Sequence, residues 1–265
     1  MRLRAAALLL AVAVSTGAAR KPDPLVVARQ FYNLGQYDQA LEAAQQAASN
    51  PSTVSSARLV LGRARLERYR QTRTEGDLEH ARADLRAVDP RALDAHERLE
   101  LQVGFAVLVF FEDQYGAAAE LLDPIVDASS VLSPDAHDRA FDWWATALDR
   151  QAQALPIGER GPVYTRMSER IEQELRHDPM SAPAAYWLAA ASRATGDLDR
   201  AWAAASAAWI RSTLSRDRGA ALRVDLDTLV TEAIIPEKAA RVAARERRQT
   251  VASLTAEWES FKKIW

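Results

Sequence analysis

The chain has 265 residues, 48% of them hydrophobic and 26% charged, which supplies enough apolar material for a packed core and argues against general disorder. A formal net charge of −2 provides no overall field to draw it to nucleic acid or to an anionic membrane. Cysteine is absent, so disulfides, thiol nucleophiles, thiolate metal sites and a cysteine-linked lipid anchor are excluded together.

At the N-terminus, Arg2 and Arg4 precede an uncharged run of Ala, Leu and Val from Ala5 to Val14. The small residues Ser15 to Ala19 follow, and charge resumes at Arg20 and Lys21. This is the three-part pattern of a secretory signal, and the run is shorter than the roughly 20 apolar residues a membrane-spanning helix needs. Residues 1–19 are therefore expected to be a signal peptide. The mature chain would begin near Arg20, carry no other stretch able to span a bilayer, and reside in the periplasm or outside the cell.

Past Pro24 the apolar residues recur at helical spacing, as in Val26, Val27, Phe31 and Leu34, or Leu59, Leu61, Leu66 and Tyr69. Sustained alternation bounded by turn pairs, the mark of strands, is missing. Breakers fall between the periodic segments at Asn50-Pro51, Asp89-Pro90, Ser133-Pro134, Pro156-Ile157-Gly158 and Asp178-Pro179. The chain thus reads as a row of helices joined by short loops.

One pattern recurs along that row. Gly35 ends a helix, Tyr37 follows at two positions and Ala40 at five, with Ala44 and Ala47 further on. Gly196, Leu198 and Ala201 repeat it, as do Gly76, Leu78 and Ala81. A fourth copy without glycine runs through Asp113, Tyr115 and Ala118. Glycine reaches the left-handed conformation that closes a helix, and a small residue five positions later lets the next helix approach closely. A hairpin of this kind cannot bury its apolar face alone, so copies stack.

With these turns, the Asn50-Pro51 and Asp178-Pro179 exits, and Phe31, Leu61-Gly62 and Trp187-Leu188 on the preceding helices, the chain resembles the tetratricopeptide repeat family over about residues 25–211. The resemblance implies an all-α, right-handed superhelix of about five hairpins over 20–211. The turn positions lie 41, 37 and 83 residues apart, so the repeats carry insertions, and the longest gap leaves room for one divergent hairpin at about 134–155 and 163–176. Residues 212–265 match no repeat and are expected to cap the stack. One capping helix would run over 223–235 and stop before Pro236, and a second would cover 237–265.

The search for chemistry is largely negative. Gly-x-Ser-x-Gly, phosphate-loop, dinucleotide-binding and His-Glu-x-x-His patterns are all absent. Asp135, His137 and Asp138 come nearest to a ligand cluster, but acids in a first helical turn have an ordinary explanation. The chain is expected to be non-catalytic and to use no cofactor or metal.

Binding surfaces are more promising. Arg58, Arg63, Arg65, Arg68, Arg70 and Arg73 gather on one helix and form a candidate cationic stripe for an acidic peptide or polymer. Trp143 and Trp144 are candidate anchors if exposed and core residues if not. Trp258, Phe261 and Trp265 fall on one side of the last helix, where they would close the open end of the stack or, alternatively, contact a partner or a membrane surface. The leading expectation is an exported scaffold for a protein or peptide. The second is an envelope accessory protein holding an acidic polymer on the arginines, and an enzyme on a helical scaffold ranks third.

Overall fold

The computed structural model describes residues 22–128, 134–214 and 219–265, with residues 134 and 135 in their backbone alone. The expected signal peptide lies outside the described residues. Among those residues every regular element is helical, and there is no strand.

Five hairpins follow one another. They pair α1 (Pro24–Asn33) with α2 (Tyr37–Ala47), α3 (Val54–Thr72) with α4 (Glu75–Arg86), and α5 (Ala95–Phe111) with α6 (Tyr115–Asp127). The last two join α7 (Pro134–Ala154) to α8 (Gly161–His177) and α9 (Ala182–Ala194) to α10 (Leu198–Ser212). Each odd helix touches the next odd helix, from α1 to α3 and on to α9, and each even helix lies between two consecutive odd ones. The result is two staggered layers, with the odd helices forming one continuous row.

Four of the five hairpin turns are set by single left-handed residues, the α7–α8 turn running instead through a 3-10 turn at Ile157–Glu159. Gly35 (φ 72°), Asp113 (φ 59°) and Gly196 (φ 86°) each sit two residues before the first residue of the next helix. In all three, the following amide donates back five residues, Gln36 to Phe31 at 2.9 Å, Gln114 to Val109 at 2.9 Å and Asp197 to Ser192 at 2.8 Å. These bonds satisfy carbonyls that the helix end would leave open. Asp113 shows that an aspartate can hold the position where glycine was absent.

The second hairpin departs from the expected pattern. Gly76 does not end a helix; it lies in the first turn of α4, and the left-handed residue is Arg73 (φ 56°). Glu75 and Asp77 flank Gly76 in that turn, where acids suit the positive end of the helix dipole. The turn therefore comes three residues earlier than the glycine suggested. Ala81 is nevertheless fully buried, as are Ala40, Ala118 and Ala201. The close approach it permits survives the shift because three residues are nearly one helical turn.

Buried residues form four successive clusters along the stack. Between the second and third hairpins, Leu85 of α4 lodges against Gly62 of α3 and Gly104 of α5, two helices of the odd row.

The C-terminal part corrects a second expectation. α11 (Gly219–Thr228) continues through a π-helical turn (Leu229–Ile234) into α12 (Ile235–Ala240), so Pro236 does not stop the helix. Proline lacks an N–H and crowds the carbonyl four residues back. Widening the preceding turn to the π pattern lets the helix pass it. The break falls instead over residues 241–246, before α13 (Arg247–Ile264). α13 drives Trp258, fully buried, edge-on against Trp202 and Trp209 of α10, and Phe261 stacks beside it. The apolar side of this helix thus points largely into the protein, although Trp265 stays 55% exposed. No described helix is long and apolar enough to cross a membrane.

Candidate binding surface

The six arginines of α3 do not share a face. Helical spacing puts Arg58, Arg65 and Arg68 on one side and Arg63 and Arg70 on another. The first group turns to α4, where Arg58 donates to the Ala87 carbonyl at 2.7 Å, Arg65 pairs with Asp84, and Arg68 pairs with Asp77 while reaching Asp38 of α2 at 2.8 Å. In the second group, Arg63 pairs with Glu100 of α5 and lies 4.6 Å over the Tyr32 ring of α1, and Arg70 pairs with Glu67 at 2.8 Å. These side chains tie neighbouring helices together. Arg73, at the end of α3, rests on the rings of Tyr69 and Phe111, 5.5 Å from each centroid.

The tryptophan pair divides in the same way. Trp144 is fully buried beside Phe141, whereas Trp143 is half-buried and meets Phe110 at 5.0 Å and Phe111 at 5.9 Å, edge to face. With Tyr69 5.1 Å from Phe111, a seam of aromatic rings crosses α3, α5 and α7, three consecutive members of the odd row. Tyr115, at the start of α6, extends it through Phe110 at 5.1 Å. Tyr37 is half-buried edge-on to Tyr32, and Leu198 is buried under its turn.

A cleft of about 370 Å³ opens between α9 and the π-helical turn, lined by Tyr186, Asp225, Thr228, Leu229, Glu232 and Ala233. Burial pushes the Tyr186 phenol up to about 12, and the charges of Asp225, Asp142 and Asp149 add to the shift. Asp149, whose own pKa is raised by burial, accepts a 2.9 Å hydrogen bond from Tyr164. The Trp187 indole donates to Asp142 at 2.9 Å. The walls of this cleft come from segments some forty residues apart, so no local stretch of the sequence signals it.

His137 faces a carboxylate in the core. Its Nε2 lies 2.9 Å from Glu174 Oε1, joining α7 to α8, and both residues are buried. Among the described residues no group of three or more His, Asp and Glu is placed to hold a metal, and the Asp135 side chain lies outside them.

No model of a known family matches the chain, and no curated protein matches it either.

Proposed function

We propose that this chain is an exported helical-repeat scaffold of the tetratricopeptide-like kind, which binds a protein or peptide on its row of odd helices without catalysing a reaction. The observation that carries this reading is the aromatic seam Tyr69–Phe111–Trp143 running over three successive odd helices. Stacked hairpins present one long surface made of the same helix from each copy, and partly exposed aromatic rings on such a surface supply contact area at little entropic cost. The left-handed turn residue two positions before the second helix, repeated at Gly35, Asp113 and Gly196, supports the family resemblance. The N-terminal pattern Arg2–Ala19 supports export.

Two measurements test it. Protein starting at Arg20 would be immobilised, exposed to envelope extract from the source cells, and washed at low and high salt, with Trp143→Ala protein alongside. A partner that resists high salt on the unaltered protein and is lost on Trp143→Ala is the expected result; retention of nothing above bare resin sinks the scaffold reading. N-terminal sequencing of the protein from cells should begin near Arg20, and an intact Met1 would overturn export.

A further inference from the structure

The cleft beside α9 continues the row of odd helices. α11 touches α9 as each odd helix touches the next, so the cleft opens between two consecutive members of that row. One wall is Tyr186 of α9. Its ring is held edge-on to Trp187 at 5.1 Å, and its hydroxyl has no hydrogen-bond partner among the described residues. The other wall is the π-helical turn, which contributes Leu229, Glu232 and Ala233, with Asp225 and Thr228 from the last turn of α11. π-helical turns recur at functional sites, and here one supplies half of the lining.

The polar groups of this lining call for a donor. Glu232 is exposed and makes no ion pair or hydrogen bond among the described residues. Thr228 already donates its hydroxyl to the Val224 carbonyl at 2.9 Å. Asp142 of α7 stands close by, since its carboxylate accepts from the indole of Trp187, the residue after Tyr186, at 2.9 Å. Arg193 of α9 is a cation near the phenol, and Glu237 engages it at 2.6 and 2.9 Å. The lining itself therefore holds two carboxylates and no cation. A metal ion is a poor fit, because no three ligating side chains converge among the described residues. An arginine suits the cleft better: its planar guanidinium can meet an aromatic face, a phenol oxygen and a carboxylate together, while its stem lies on apolar side chains.

We propose that this cleft receives an arginine side chain of the partner chain, with Glu232 and the Tyr186 hydroxyl holding its guanidinium and Leu229 and Ala233 covering its stem. The inference rests on the scaffold reading and adds the chemistry of the partner. It places a charged contact at the far end of the odd row from the arginines of α3.

The test is an NMR titration of the isotope-labelled protein from Arg20 with a blocked pentapeptide, Ala-Ala-Arg-Ala-Ala, and with its glutamine counterpart, at about 0.15 M salt. The arginine peptide should shift the backbone amides of Tyr186, Leu229 and Glu232 with a Kd of about 1 mM, and the glutamine peptide should not. Glu232→Gln and Tyr186→Phe should each weaken binding by about threefold or more, while Glu42→Gln, an exposed glutamate of α2, should leave it unchanged. Both cleft variants nearly preserve side-chain size, and thermal melts would confirm that each is folded. Absent binding, shifts confined to other helices, equal loss on Glu42→Gln, or unchanged binding to either cleft variant overturns the site. A salt-resistant envelope partner captured equally by the unaltered protein and by the double cleft variant would leave the scaffold reading standing and remove this proposal alone.

Discussion

Leu85 of α4 occupies the space that a side chain on Gly62 of α3 would need, for a β-carbon there would lie 2.6 Å from Leu85 Cγ and 2.7 Å from its Cδ2. Leu85 is 1% exposed and is held from the other side by Gly104, so it has little room to withdraw. Gly62→Ala should therefore destabilise the protein by about 1–3 kcal/mol, the usual cost of overpacking a core. Gly76 offers the opposite case, being helical with no heavy atom within 4 Å of its added β-carbon. Gly76→Ala should stabilise by roughly 0.5–1 kcal/mol. Urea unfolding of both variants checks the pair, and the same sign for each would contradict the packing described.

The left-handed turns invite a related test. Gly196 stands at φ 86° and closes α9 through the Asp197 amide. A β-carbon in that region costs about 1–2 kcal/mol. Gly196→Ala should lower the thermal midpoint accordingly, and an unchanged midpoint would mean that the turn can rearrange.

Trp258 is the largest buried side chain of the C-terminal part, and its indole donates to Asp227 at 2.8 Å. Asp227 also accepts from Lys262 at 2.6 Å, so removing the ring opens a cavity and disturbs that contact. Trp258→Ala should cost about 3–5 kcal/mol. Hydrogen exchange should show the loss concentrated in α10 to α13, leaving α1 to α4 protected. Uniform deprotection of the whole chain would argue against local coupling.

The His137–Glu174 pair makes stability depend on pH. The Glu174 carboxylate, through its hydrogen bond, outweighs burial and raises the His137 pKa above its ordinary 6.5. A raised histidine pKa means that the folded state binds the proton more tightly than the unfolded one. The contribution is thus full below the unfolded value and is lost as pH climbs through the folded value. Unfolding midpoints should fall as pH rises above about 6.5 in the unaltered protein, and His137→Gln should flatten that slope. An identical slope in the variant would assign the dependence to other groups.

What the sequence made legible was whatever is decided within one helical turn. The hairpins of Gly35 and Gly196, the substitute at Asp113, and the divergent pair α7 and α8 all follow from period and turn chemistry, which are local. Gly76 misled because it carries the right residues around it, while the left-handed step fell to Arg73, a residue with no special propensity for it. Pro236 misled because a proline rule for α-helices does not cover a helix that widens into a π turn first. The concentration of charge on α3 is legible in the sequence, yet which of its arginines face an acid depends on α2, α4 and α5. Trp143 and Trp144 differ for the same reason, adjacent residues pointing to different neighbours. The cleft beside Tyr186 joins distant segments, so no window of sequence contains it.

The separation of the apolar interior into four successive clusters bears on how the molecule meets force. Each hairpin leans only on its neighbours, so tension applied to the two ends is not resisted by one shared centre. The chain should yield in stages, one clasp after another, with the remainder still shaped. A partner gripped along the odd helices would then be let go by degrees, like a strap released through a row of buckles.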